Sequence, residues 1–284
     1  MRTPDDSPLG SWVGAAFAAQ EPMRRAGRWV GAALLVWSMP IRPVTAPDVA
    51  TILERWAAAN HRDFDAAPQY SYSERARDQD GTKVYEVTPL LGSPYKRLVE
   101  KDGRSLTGDQ QKQQDGDFEQ ARREREAESA EERRKRIADF EKGRNRARRI
   151  LEELPRAFEY TLRSTRTVNG RTAYILSARP RPDYDPPNIE GQVLTGMRGE
   201  FWIDAETYQL VRGRARVVDP VAVAGFLAKV QPGTEFEVEQ KPVDDGIWLP
   251  VRVAVRTRSS IAFFFHHQMS EERTFFNYRK VPAP

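Results

Sequence analysis

Three dipeptides, Asp80-Gly81, Asp102-Gly103 and Asn169-Gly170, constrain this chain more than any other feature. A two-residue hairpin turn needs positive φ, which Gly supplies without steric cost and Asn or Asp tolerate. Each dipeptide sits between short segments that read as strands, so each predicts an antiparallel pair. The first two define a meander with strands over 70–77, 83–90 and 96–101, and the third defines a hairpin over 158–180. Segments 200–218, 234–241, 248–258 and 269–281 supply further strands. Val251, Val253 and Val255 alternate with Arg252, Ala254 and Arg256, as in a strand buried on one face.

The helical signals are separate from the strand signals. Over 48–60, Val49, Ile52, Leu53 and Trp56 fall at i, i+3, i+4 and i+7, which predicts an amphipathic helix packed on the sheet. Segment 107–154 has no strand pattern. Thr107 with Gln110, and Ser129 with Glu132, fit capping boxes and predict helices over 109–127 and 130–153. The second carries a stripe of Ile137, Phe140, Ala147, Ile150, Leu151 and Leu154 that needs a partner, expected to be the sheet. Gly143 interrupts the stripe as a candidate kink, and Pro155 is expected to end the helix. Asp219-Pro220 reads as an N-cap with Pro at the first position, which predicts a helix over 221–230. A Pro-rich loop occupies 179–187. The predicted class is α+β, dominated by one antiparallel sheet.

Composition removes several functions. The chain has no cysteine, which excludes disulfides, thiolate chemistry and a lipidated N-terminal Cys. The net charge is +4, and half of it lies in residues 1–46. Segment 117–154 holds 12 basic and 11 acidic residues. Its arginine runs at 133–136 and 144–149 therefore read as a solvated helix surface laced with ion pairs, and no nucleic-acid partner is expected. Residues 23–28 are basic, 29–39 are an apolar run of eleven, and Val44-Thr45-Ala46 has the small residues of a cleavage site. That order is the order of a secretory signal peptide, and the apolar run is too short to span a bilayer. Pro47 would hinder cleavage after Ala46, and Met23 is a candidate start. The expected organisation is an extension and export signal over 1–46, then one domain over 47–284 with a helical insertion at 107–154. The expected location is the periplasm.

The chemistry-bearing residues favour binding over catalysis. Asp204 and Glu206 sit where turn chemistry places acidic residues. His266-His267 precede Glu271-Glu272, but adjacent strand residues face opposite ways, so both imidazoles cannot share one ion. No metal site is predicted. Phe263-Phe264-Phe265 places bulky rings on both sides of a strand. G-x-S-x-G, a phosphate loop and a dinucleotide fingerprint do not occur. No enzyme activity and no cofactor is expected.

Four features resemble the outer-membrane lipoprotein-sorting superfamily, with its LolA/LolB-like fold. They are the exported N-terminus with a first amphipathic helix over 49–56, the strand-turn Gly199-Glu200-Phe201-Trp202-Ile203-Asp204-Ala205-Glu206-Thr207, the segment Trp248-Leu249-Pro250 before 251–255, and the closing strand 274–278. The resemblance covers 48–106 and 155–284; the charged insertion has no counterpart in the compact carriers. It implies an incomplete antiparallel β-barrel whose concave face is covered by helices. It also implies non-covalent holding of a lipid, lipoprotein acyl chains or another apolar ligand. Trp202, Phe226, Leu227, Phe236, Val238 and Trp248 are the candidate lining of such a cavity; the competing reading makes them ordinary core between sheet and helix. The expected partner is a lipid or a lipidated protein. The alternative is an envelope protein-interaction or stress-sensing module with a protein partner and no transported ligand.

Overall fold

Two of the three predicted glycine turns form as two-residue loops; at the first, the loop is Gln79-Asp80 and Gly81, at φ 119°, opens the next strand. Asp102 and Gly103 take φ of 51° and 75°, and Asn169 and Gly170 take 51° and 80°. A turn that the sequence did not announce, Leu91-Gly92, takes φ of 48° and 96°. The computed structural model describes residues 47–223, 228–230, 232–244, 246–261 and 265–282. Residues 1–46, which hold the signal-like pattern, and Phe226, Leu227 and Phe263-Phe264 lie outside the described residues.

These turns join β1 (Tyr70–Asp78), β2 (Gly81–Leu90), β3 (Ser93–Lys101) and the short β4 (Arg104–Ser105), and they join β5 (Phe158–Val168) to β6 (Arg171–Pro180). The later strands are β7 (Met197–Asp204), β8 (Leu210–Val217), β9 (Val221–Val223), β10 (Ala228–Val230), β11 (Glu235–Asp244), β12 (Ile247–Ile261) and β13 (Phe265–Lys280). One sheet contains them in the order β4-β3-β2-β1-β13-β12-β11-β8-β7-β6-β5, with β9 and β10 beside it. Neighbours are antiparallel, and Tyr70 opposite Lys280 pairs the first strand with the last. The end strands β4 and β5 do not pair, so the sheet stays open, as an incomplete barrel. Register shifts in the β2–β3, β5–β6, β7–β8 and β11–β12 pairs mark bulges that bend it.

Helix α1 (Val49–Ala66) starts at Asp48, whose carboxylate accepts the Thr51 amide at 2.8 Å. It buries Ile52, Trp56, Ala59 and Phe64. The Trp56 ring lies 5.2 Å from Phe201 of β7 and 6.3 Å from Tyr160 of β5. This packing sets the main core, which includes Leu176, Ile203, Val217, Val238, Val253 and Phe275.

Helices α2 (Gly108–Ala127) and α3 (Ala130–Ala157) begin in the two capping boxes read from sequence. Helix α2 lies on β3, with Phe118 edge-on to Tyr95 at 5.3 Å. Its far end is fastened by Arg125, which donates to the carbonyls of Leu90 and Ser93 at 2.8 and 2.9 Å. Arg136 of α3 donates to the Leu91 carbonyl and to Ser93 Oγ at 3.0 and 2.7 Å. Gly92 matters here twice. Its φ of 96° makes the turn, and a Cβ there would lie 2.7 Å from Ile137 Cδ1. Helix α3 is 28 residues long in all, passes this turn at Arg136 and Ile137, and ends directly in β5. A helix of that length spans about 42 Å. It therefore straps one side of the open sheet to the other.

Three sequence expectations need correction. Among the described residues of the span 221–230 no helix forms; β9 and β10 occupy its two ends and pair with each other. Valine at 221, 223 and 230 favours extended backbone. In addition, β12 runs five residues past its pairing with β11 at Arg256, and β10 takes the free edge, with Val230 opposite Ser259. Pro155 does not end α3, which continues to Ala157. In the last turn proline costs one hydrogen bond, and its fixed φ is already helical. Helix α3 is also continuous through Gly143, which is buried.

The opposite face of the sheet is polar. Glu237 of β11 is 6% exposed and is surrounded by arginines. Its Oε1 accepts from Arg214 at 2.6 Å and from Arg212 at 2.7 Å, and its Oε2 accepts from Arg252 at 2.7 Å. Burial alone would raise its pKa, but bonds from Arg252 and Arg214 and the charge of Arg212 outweigh it and hold the carboxyl at about 2.

Two outcomes follow from these contacts. Arg125→Ala should loosen α2 by roughly 1–3 kcal/mol, the worth of bonds from a charged donor. Amide exchange over 108–127 should quicken while that of β11 and β12 stays unchanged. Glu237 ionises more readily folded than unfolded, so its stabilisation is complete above about pH 4.5 and is lost as pH falls toward 2. Urea unfolding between pH 5 and 2.5 should show a shallower decline in Glu237→Gln than in the unaltered protein.

Candidate ligand cavity

Strand β8 explains why the helix-covered face is not filled. Its residues toward α1 are Leu210, Gly213 and Ala215, while Arg212, Arg214 and Arg216 point the other way. Two of the three inward positions have almost no side chain. Gly213 sits under Val238, where an added Cβ would lie 3.1 Å from Val238 Cγ1. On α3 the facing residue is Ala147, 5% exposed. The space left by these small residues is a cavity of about 940 Å³.

Four elements wall it. Helix α1 gives Trp56, Asn60, Asp63 and Phe64. Helix α3 gives Ala147, Ile150, Leu151 and Leu154. A short helix α4 (Ile189–Leu194), begun by Asn188 Oδ1 accepting the Gly191 amide at 2.8 Å, gives Ile189, Val193 and Leu194. The sheet gives Met197, Phe201, Leu210, Phe236, Val238 and Leu249. The walls are mainly apolar, and the volume lies in the range of about 300–1,000 Å³ usual for small-molecule sites.

The sequence-predicted lining divides. Phe236 and Val238 lie two apart on β11, share the inward face and border the cavity. Trp248 also borders it, but its indole packs with Ala173, Val211 and Trp202, under the Arg171 guanidinium at 5.3 Å. Trp202 points away. Its neighbour Phe201 takes the inward face, and the Trp202 ring lies beneath Arg212 and Arg214 at 5.9 and 6.0 Å. Phe226 and Leu227 lie outside the described residues. The walls from α3 and α4 were missed as lining. The α3 stripe was visible, and its partner turns out to be the cavity together with α1 and α4. Helix α4 spans six residues after a Pro-rich loop, too few for a periodic signal.

Asp63 is the buried acid of this site, 3% exposed. It accepts from Gln209 Nε2 at 3.1 and 3.3 Å, and Gln209 also donates to the Gly246 carbonyl at 2.7 Å. Burial raises its pKa to about 6, only partly offset by bonds from the Trp248 amide, Gln209 and Arg62. Asp204 and Glu206 form the expected turn. Asp204 Oδ1 accepts the amides of Glu206 and Thr207 at 3.1 and 2.8 Å, and Arg171 bonds both carboxylates. Among the described residues no group of three or more His, Cys, Asp or Glu is placed to hold a metal ion. No helix among them is long and apolar enough to cross a membrane.

Asp63 binds its proton more tightly folded than unfolded. Its protonated form therefore stabilises the fold fully below about pH 4, and that stability is lost as pH rises through about 6. Asp63→Asn should remove the decline between pH 4.5 and 6.5 in urea unfolding, and should be more stable than the unaltered protein at pH 7 by roughly 1–3 kcal/mol.

No protein-family model matches the sequence, and no curated protein matches it. Solved structures of similar fold include a LolA superfamily protein from Nitrosomonas europaea, with TM-score 0.31 and 10% identity over 84% of this chain and 96% of that one. A putative outer membrane lipoprotein-sorting protein domain from Vibrio parahaemolyticus gives TM-score 0.33 and 10% identity over 82% and 93%. The MucA/MucB complex of Pseudomonas aeruginosa gives TM-score 0.22 and 12% identity over 80% and 99%.

Proposed function

We propose that this chain is a binding protein that holds the acyl part of a lipid, or of a lipidated protein, between its open sheet and helices α1, α3 and α4. The supporting observation is the cavity of about 940 Å³ with its largely apolar wall. Burying apolar ligand surface there releases about 25 cal/mol for each Å² removed from water. Small residues at Ala147, Gly213 and Ala215 keep the space open, where ordinary core packing would fill it. Holding a ligand in this way requires no bond making and no cofactor. Phe236 and Val238 are contacts in this reading, joined by Phe201, Ile150 and Leu154, while Trp248 borders the cavity with its indole packed beside Trp202.

The proposal places the protein in the periplasm, delivered by the signal-like sequence within residues 23–46, with residues 47–284 acting as one binding domain. An alkaline phosphatase fused after residue 60 should be active only when residues 23–46 are present.

Binding is tested by titrating the purified chain with a fluorescent acyl probe. The expected result is saturable enhancement that palmitate or a lysophospholipid reverses. Ala215→Trp places an indole in the cavity and should weaken the probe at least tenfold while the thermal midpoint holds. Unchanged affinity in that variant would sink the cavity as the binding site.

A further inference from the structure

The mouth of the cavity has a chemistry of its own. Three of the lining residues that reach solvent come from the outer turns of α3 and from α4: Lys142 and Arg146 are exposed, and Ile189 is 50% exposed. Beside them Arg149 donates to Glu190 at 2.7 Å. The three basic residues follow the i, i+4, i+7 spacing of one helical face, so all three edge the same opening. The acids that border the cavity are each engaged. Glu190 is bonded by Arg149, Asp63 is buried against Gln209, and Glu237 is surrounded by three arginines on the sheet. Three cations against one carboxylate leave the rim positive.

An apolar interior under a cationic rim with a half-exposed isoleucine selects an amphiphile. We infer that the cavity takes a lipid whose headgroup is anionic, with the acyl chain inside and the phosphate or carboxylate against Lys142 and Arg146. Arg149 takes a positioning role through its bond to Glu190, whose carboxylate also lies in the field of Arg146. The inference rests on the acyl-binding reading above and adds the charge of the ligand. Lys142 and Arg146 are exposed surface residues, so their replacement leaves the core untouched.

The test compares ligands that share a chain and differ in charge. Palmitoyl-lysophosphatidylglycerol and palmitoyl-lysophosphatidylcholine compete against a neutral fluorescent acyl probe, as do palmitate and hexadecanol. The expected preference for each anion is roughly five- to thirtyfold, the worth of one or two basic residues near an anionic headgroup. It should shrink in 0.5 M salt, because rim charges are screened within a few Å there. In Lys142→Glu/Arg146→Glu the preference should vanish or invert while hexadecanol, which has no charged headgroup, binds as before, and Lys142→Gln/Arg146→Gln should fall between. A preference for the lysophospholipid anion alone assigns the site to phosphate; a preference for palmitate alone assigns it to carboxylate. Equal affinity for charged and uncharged partners, or a preference that survives the double Glu variant, overturns the inference and leaves acyl binding standing. Failure of every acyl ligand to displace the probe overturns both.

Discussion

The arrangement of the helices depends on one buried cation. Arg144, 7% exposed, donates to the Phe64 carbonyl at 2.7 Å and lies 4.6 Å from the centre of the Phe64 ring. Phe64 belongs to the last turn of α1, where carbonyls lack helical partners and the helix end is partly negative. Arg144 satisfies one of those carbonyls from the middle of α3. Glu141 shares its charge at 2.7 Å, and Arg148 adds a second contact to the same turn through Asp65 at 2.9 Å. The helix that plugs the sheet and the helix that straps it are thereby fixed together. Buried charge is tolerated only where such partners exist, because an unpaired one costs about 3–5 kcal/mol.

That junction decides what happens to the open sheet. A sheet whose end strands do not meet must cover its apolar face with something else. Helix α1 covers the centre through Trp56 and Ile52 but does not reach the whole width. Helix α3 closes the remainder because its two ends are pinned at different strands, by Arg136 at the β2–β3 turn and by direct continuation into β5. Held at this distance, α3 cannot collapse onto Gly213 and Ala215. The void is a consequence of rigid supports around small residues, as a packed interior without such supports relaxes inward.

Features encoded by a few neighbouring residues were legible in the sequence. The Asp102-Gly103 and Asn169-Gly170 turns and both capping boxes depend on side chains within three positions of the backbone they serve, and all are where the sequence placed them. Elements decided by distant partners were not. Strands β9 and β10 look helical from Asp219-Pro220 because the free edge of β12 is invisible in a linear reading. Helix α4 is too short to show a period. The cavity needed both kinds of information. Phe236 and Val238 share a face by simple alternation, and the same rule puts Trp202 on the face opposite Phe201. That Ile150, Leu151 and Leu154 face a void instead of the sheet depends on where Arg125, Arg136 and Arg144 hold the helices.

Strand β8 shows how one sequence serves two surfaces. From 212 to 216 it reads Arg-Gly-Arg-Ala-Arg. The arginines meet Glu235, Glu237 and Glu239 across the strand pair, and the small residues face the cavity. Glycine in a strand interior normally weakens it, through lost packing and greater freedom in the unfolded chain. Here the opposite face compensates, because cross-strand charge pairs hold the register that the inner face cannot. A strand secured from outside can leave space inside. The polar lattice on the exposed face and the apolar cavity beneath it are therefore two results of one alternation, and a ligand space at this position needs both.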